Sequence, residues 1–449
     1  MLERLGISLM NFMRRVLPEA FVIAIIITFI TLFAGMAAGN SLFDMGVYWG
    51  RGVWNLLTFM CQASLTLILG AALVKSRAGY RAISGVARIP QNCAQAAVLV
   101  AVVSMVLYYV NWGVGMIGGA ILAKEVAVRL YRRGVPVHYP LLGASVYVGI
   151  LGYEAGFSGG IPLQVATEGH VLAEQMGVIP LTQTIFSPAS YVTFLILLIV
   201  VPVLLGFMAP KRAENMLLPN EFLSEEEFEE KKEEAAPVQG KKTFAEKMDG
   251  ARIINFIFFL FTLIYIVDYL KNAGLVGLDL NIVNLILLSL GLLLHESPRS
   301  LIAAFQESTE SASGILMQFP LYAGIMGMIT SSGLVSIIAS FFVSISTADT
   351  YYVFSFLSAG LLNIFVPSGG GQWSVQGPIM IEAAQTLDLD LAKVAVAVGW
   401  GDAWTNLIQP FWVLPIVGLM GGKAKDYLGY TAVLLFISGI IISVSLFVL

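Results

Sequence analysis

Two acidic residues stand alone in apolar surroundings. Glu154 is the only charged residue between Arg133 and Glu168, and Asp402 is the only one between Lys393 and Lys423. A carboxylate inside a bilayer costs roughly 2.5–3.5 kcal/mol on insertion scales, so it marks an ion or proton pathway by default. Each acid lies in a stretch rich in helix breakers. "LGYEAGFSGGIPLQ" (151–164) places Gly156, Ser158, Gly159, Gly160 and Pro162 after Glu154. "GWGDAWTNLIQP" (399–410) places Thr405, Asn406, Gln409 and Pro410 after Asp402. The chemistry on offer is cation handling. A proton rides on Glu154 or Asp402, or Na⁺ is held by these acids with Ser158, Thr405, Asn406 and unwound carbonyls. A plainer role is compatible with it: a carboxylate caps the freed N–H groups of a half-helix.

Two further stretches suit an anion. "NIFVPSGGGQWSVQGP" (363–378) and "NWGVGMIGG" (111–119) interrupt long apolar runs with glycine and proline. A half-helix that starts at such a point presents free N–H groups and a partial positive charge. Glycine lets the backbone come close to a ligand. Ser368, Gly369, Gly370, Gly371 and Gln372 are therefore candidate carboxylate contacts, as are Asn111, Trp112 and Gly113. Trp112, Trp373 and Trp404 stand beside the breaks, where they wall an apolar pocket for a short alkyl chain or serve as packing. Neither tip and neither break holds a basic residue. A dianion or phosphate normally wants an Arg or Lys partner, so a small monoanion is expected.

The elements that must position these residues are membrane helices. Of the 449 residues, 57% are hydrophobic and 12% charged, and apolar runs of roughly 17–25 residues match a bilayer. The expected fold is all-α and polytopic. Residues 1–20 predict an interfacial helix or an extension of the first span. "AFVIAIIITFITLFAGMAAG" (20–39) is too long for a signal-peptide core and is expected to stay as a span. Cys61 and Cys93 have no CxxC or His neighbour and are expected to be packing residues. The acidic run "EEEFEEKKEEAA" (225–236) lies in a charged linker, 210–252, between two halves of similar length.

Basic residues in short loops orient the chain. Loops 75–88, 124–133 and 211–252 are expected in the cytoplasm, and 166–187, with no basic residue, outside. Arg88 and Arg129 then share one side, so 92–126 is read as a re-entrant hairpin with its tip at 111–119. Residues 351–387 form the second hairpin, entering from the opposite face. Non-helical backbone at membrane depth is tolerated where protein or a water-filled cavity covers it. Each hairpin precedes a broken helix, 140–165 or 392–415, followed by a further helix, 188–209 or 428–449. This matched order predicts inverted repeats. The transport part is 92–209 with 351–449, and the scaffold is 1–91 with 253–346. The count is about nine spans, with the N-terminus in the cytoplasm and an amphipathic helix at 298–314.

The stretches 363–385, 108–127 ("YYVNWGVGMIGGAILAKEVA") and 399–415 ("GWGDAWTNLIQPFWVLP") resemble the bacterial short-chain fatty acid transporters of the AtoE type, within the ion transporter superfamily. The resemblance covers essentially the whole chain. It implies a multi-pass protein of the bacterial inner membrane that takes up short-chain monocarboxylates such as butyrate or acetoacetate with H⁺ or Na⁺. It implies no cofactor and no nucleic-acid partner. The superfamily's dicarboxylate carriers are typically dimers that work by an elevator motion, which implies a homodimer here. The Ser-Asn-Thr triplets of those carriers are replaced here by Asn111-Trp112-Gly113 and Ser368-Gly369-Gly370, which argues against a dicarboxylate. The alternatives are a cation/proton antiporter and a carrier of another small organic anion. An intramembrane enzyme is disfavoured, because His138, His170 and His295 fall in or near loops with no HExxH spacing.

Overall fold

The structure is a computed structural model that describes all residues except 1, 17, 171, 229–242 and 275–279. The second part of the acidic linker run therefore lies outside the described residues. Helices α1 (Leu2–Val16), α2 (Ala20–Ala37), α3 (Leu42–Gly52), α4 (Leu57–Val74) and α5 (Arg77–Val86) precede the first hairpin. That hairpin is α6 (Cys93–Val110) and α7 (Trp112–Arg132), followed by α8 (Tyr139–Tyr147), α9 (Gly160–Val165) and α10 (Pro188–Met208). After the linker come α11 (Arg252–Ala273), α12 (Leu280–Leu294), α13 (Pro298–Ser308), α14 (Ser313–Ser331) and α15 (Leu334–Ser344). The second hairpin is α16 (Tyr351–Asn363) and α17 (Gly369–Thr386), then α18 (Leu391–Thr405), α19 (Pro410–Met420) and α20 (Ala424–Val448). No strand occurs among the described residues.

Two closely packed helices, an interrupted helix and a long helix follow one another twice along the chain. The first hairpin turns on one residue: Asn111 ends α6 and begins α7. Its arms run antiparallel and close together. A Cβ on Gly115 would lie 2.4 Å from the backbone N of Tyr108, and one on Gly119 would lie 2.3 Å from Ser104 Oγ. Small residues permit that approach, as at other tightly packed membrane helices. In the second hairpin Pro367 prevents helix between Asn363 and Gly369. There the arms are joined by Gln372 Nε2 donating to Ala359 O and Tyr351 Oη donating to Met380 O.

The breaks have local causes. α8 tightens into a 3-10 turn at Val148–Gly152, and helix resumes only at Gly160. α18 ends in a 3-10 turn at Asn406–Ile408. Pro410, which lacks an N–H, then opens α19 at an angle of 52°.

By length and composition α6, α10, α11, α14 and α20 are able to cross a bilayer, and counting each bent pair as one raises the total to seven. The sequence led us to expect about nine. The seven include the hairpin arm α6, which was not among the nine, and leave out the shorter apolar segments Met60–Leu73, Tyr139–Gly152 and Asn281–Leu294, which fall short of the roughly 20 residues a span needs. Gly333, at φ 80°, separates α14 from α15.

Packing forms two groups of helices that also touch each other, α4 on α7 and α15 on α16 and α17. α2 and α3 pack on α14, and α4 packs on α12, α13 and α14. α6 packs on α7, α8 and α10, while α18 packs on α16, α17 and α9. The first helix joins the second group. α1 is bent 75° from α2 and lies on α20 and α10, although residues 1–91 were grouped with the scaffold from sequence. Met10 backbone meets Gly429, where a Cβ would come within 2.3 Å of it. Arg14 Nε lies 2.9 Å from Asp426 Oδ1, and Lys423 Nζ donates to Glu19 Oε1 at 2.7 Å.

Candidate functional site

Three segments converge on the second hairpin tip: α9, the break preceding it, and α18. Ser368 begins α17 with extended backbone but makes no side-chain cap. Gln372 N–H donates to Ser368 O at 2.7 Å, while the N–H groups of Gly369, Gly370 and Gly371 find no acceptor among the described residues. Gly370 and Gly371 are half-buried. α17 thus starts at an uncapped N-terminus.

Both lone acids reach it. Glu154 is 3% exposed, and its carboxylate accepts from Gly160 N–H (2.9 Å) and Ile161 N–H (3.0 Å), so it caps α9. A Cβ on Gly369 would lie 2.3 Å from Glu154 Oε1 and 3.5 Å from Asp402 Oδ2. Glycine is thus required there to let two carboxylates approach one helix start. Asp402 is 1% exposed, and its Oδ1 has no hydrogen-bond partner among the described residues. Gln164, from α9, donates through Nε2 to Ser374 Oγ at 3.3 Å and turns its Oε1 toward Gly370. From the other group of helices Met326 brings its sulfur near Gly371.

Behind the tip, Asn363 ties the hairpin to the second break. Its Nδ2 lies 2.8 Å from Asp402 O, 2.7 Å from Asn406 Oδ1 and 3.0 Å from Thr405 Oγ1. One amide has two hydrogens, so three oxygens crowd a single donor. Gln409 Nε2 donates to Ile364 O, and the one Tyr147 O–H lies within hydrogen-bond reach of the carbonyls of both Asn406 and Gln409. Thr405 and Asn406 are thus gathered with the Asp402 carbonyl around Asn363.

The first tip is built otherwise. Asn111 Oδ1 accepts from Gly113 N–H (2.9 Å) and Val114 N–H (3.2 Å). Trp112 N–H donates to Ser158 Oγ at 3.0 Å, and Gly115 N–H to Asn111 O at 2.9 Å. Asn111, Trp112, Gly113 and Ser158 come together, but as a finished helix cap.

Three other candidates face elsewhere. Gln372 bends back to Ala359 O and Gln376 Oε1. Trp373 is fully buried in an apolar cluster with Ile161, Leu172 and Ile381. Trp404 donates to Leu435 O and fills the space over Gly360 and Gly439. Among the aromatic groups near the breaks are Trp112, Trp412 and Tyr153. Trp412 lies 5.5 Å from Trp112 and 6.2 Å from Tyr153 between ring centroids. Sequence reasoning passed over Tyr153, Gln164, Met326, Asn363 and Trp412. Tyr153 adjoins Glu154 and Trp412 follows Pro410, which were usable signals; Met326 had none.

The family model described as short chain fatty acid transporter matches residues 1–449. A protein of Escherichia coli (strain K12) whose name carries the words short-chain fatty acid transporter is 35% identical over 448 residues, 99% of each chain. A similarly named protein of Haemophilus influenzae is 35% identical over 457 residues, 100% of each. Among solved structures, the YdaH transporter of Alcanivorax borkumensis is 13% identical with a TM-score of 0.45, over 95% of this chain and 98% of that one. The Neisseria gonorrhoeae MtrF structure is 14% identical with a TM-score of 0.39, over 99% and 98%.

Proposed function

The chain belongs to the short chain fatty acid transporter family, and on that premise we propose that it is a cation-coupled carrier of short-chain monocarboxylates. One observation carries the reading to a site. Three N–H groups at the second tip, Gly369 to Gly371, lack acceptors beside two buried acids. The substrate carboxylate takes those N–H groups, which a helix N-terminus favours. The absence of basic residues from both tips and both breaks fits a monoanion such as butyrate.

An anion beside Glu154 and Asp402 needs a cation. Either one acid takes up H⁺, or Na⁺ is held by Asp402 with Thr405, Asn406 and nearby carbonyls. Uptake then moves substrate and cation together across the bacterial inner membrane, with the N-terminus in the cytoplasm. The two hairpins enter from opposite faces as inverted repeats. The group holding both hairpins moves against the other in an elevator-like step, within a homodimer.

Labelled butyrate uptake into proteoliposomes, with Na⁺ and pH gradients imposed separately, tests this. One gradient should drive accumulation, and Asp402→Asn should lower it at least tenfold with the protein still monodisperse. No butyrate flux under either gradient, with cation exchange still present, sinks the carrier reading in favour of a cation/proton antiporter.

A further inference from the structure

We propose that the cavity between the start of α1, the start of α6 and the end of α10 binds the headgroup of a phosphoethanolamine lipid, with the phosphate on Lys211 and α6 and the ammonium on Glu3. Such a site requires only that the chain lies in a bilayer, whatever the substrate.

The cavity holds about 800 Å³, within the roughly 300–1,000 Å³ of ordinary ligand sites. Most of its lining is apolar, with Ala94, Pro136 and Phe207 among the wall residues, while Glu3, Asn92 and Lys211 supply polar groups. Lys211 N–H donates to Glu3 Oε1 at 2.9 Å, which holds the carboxylate in the wall. Lys211 Nζ makes no ion pair with it, or with any other acid among the described residues. A cation and an anion thus stand side by side without pairing. Glu3 would repel a simple anion and Lys211 a simple cation, whereas a headgroup that carries both charges satisfies both.

Further donors lie on the phosphate side. Cys93 and Ala94 line the cavity and open the 18-residue α6. Their N–H groups find no acceptor among the described residues, because the Asn92 side chain caps Gln95 instead. Such a helix start favours phosphate. Behind the wall Tyr430, fully buried, leaves its Oη without a partner. A Cβ on Gly6, one turn after Glu3, would lie 2.7 Å from its ring, and its phenol is within electrostatic reach of both Glu3 and Cys93. An O–H in need of an acceptor therefore stands where α1 and α6 meet the cavity.

The acyl chains have a course as well. Phe207, Val203 and Ile199 are exposed at successive turns of α10. This apolar stripe leads away from the cavity along the helix, so chains lie on it while the headgroup stays at the polar end.

The test is lipid binding to the delipidated full-length protein in detergent, read by native mass spectrometry and melting temperature. Dioleoyl phosphatidylethanolamine should bind about tenfold more tightly than the choline or glycerol lipid with the same chains, the scale of a hydrogen bond to a charged group. Choline's methylated nitrogen has no N–H to give Glu3, and glycerol has no cation. Binding should raise the melting temperature, as any ligand of the folded state does. Glu3→Gln should bring the ethanolamine and choline lipids to equal affinity. Lys211→Ala should weaken all three, and Ala94→Trp, which fills the cavity, should abolish binding. No preference for ethanolamine in the wild type, a preference that survives Glu3→Gln, or unchanged binding in Lys211→Ala overturns the inference. So does glycerophosphoethanolamine, which has no chains, binding as tightly as the lipid, because the site then serves a soluble phosphoester. Should Ala94→Trp fail to fold, Glu3→Gln decides alone.

Discussion

At Asn111 the helix after the turn has its first four N–H groups matched; at Ser368 the corresponding helix leaves three without acceptors. Both tips use glycine, a tryptophan and a small polar residue. What separates them is the side chain before the helix. Asn111 folds back onto its own backbone, and Ser158 from the first break supplies the remaining acceptor. Ser368 does neither, and the acids that approach its helix are spent on capping α9 or left unmatched. A buried N–H without a partner costs about 1–3 kcal/mol. The first tip avoids that cost and is built as structure. The second sustains it, which suits a place where a ligand comes and goes.

The largest expected effect breaks the comparison at its centre. Gly369→Ala drives a Cβ into Glu154 Oε1, a carboxylate fixed by two backbone N–H groups. Butyrate uptake should fall by about a hundredfold or more, because the displaced acid fills the tip. Gly113→Ala meets the methyl of Thr66 at 2.8 Å, and should lower the melting temperature while uptake stays within about tenfold. Equal losses in the two variants would erase the distinction between the tips.

A reciprocal pair sharpens it. Asn111→Ala removes the acceptor for two N–H groups, one buried and one part-buried, and should cost about 1–2 kcal/mol of stability, measured as a lower melting temperature in detergent, with the KM for butyrate unchanged. Ser368→Ala loses no cap, so its melting temperature should match wild type within error and only transport should respond. If Asn111→Ala changed KM without changing stability, the first tip would be a binding tip after all.

The smallest effect lies away from both tips. His138, just before α8, accepts from Leu217 N–H through Nδ1. Burial, with the Arg14 guanidinium adding to it, holds its imidazole down to about 3. The fold therefore contains neutral histidine, while the unfolded chain protonates near 6.5. That stabilisation is complete above pH 6.5 and is lost as pH falls toward 3, at about 1.4 kcal/mol per unit. Melting temperature should drop between pH 7 and 5, and less so in His138→Asn, which keeps an acceptor for Leu217. Parallel pH curves in the two proteins would show that His138 is not the group responsible.

Much of this contrast was legible in the sequence. Glycine and proline in apolar runs located both tips and both breaks within a few residues, because a broken helix at membrane depth has few other causes. The lone acids marked the break each belongs to. Asn111, directly before Trp112-Gly113, also carried the signature of an N-cap, which our anion-cradle reading overrode. Side-chain direction was not legible. Trp373 and Trp404 stand next to the breaks in sequence, yet helical phase turns one into an apolar cluster and the other onto Gly360 and Gly439. Trp412 was hidden for the opposite reason: the bend at Pro410 swings it back toward Trp112 and Tyr153. Packing partners far apart in sequence, such as α1 and α20, left no local trace.

The contact between α1 and α20 has a consequence for how the chain is made. Glu19 and Lys423 are 404 residues apart, and Met10, Arg14, Asp426 and Gly429 lie at similar separation. While the chain emerges from the ribosome, α1 has no α20 to lie on. Its amphipathic surface must wait at the membrane interface through the synthesis of nearly every other helix. Contacts of such high order form late and slowly. The step that seats the first helix is therefore also the last of assembly, and a stall anywhere upstream leaves α1 exposed.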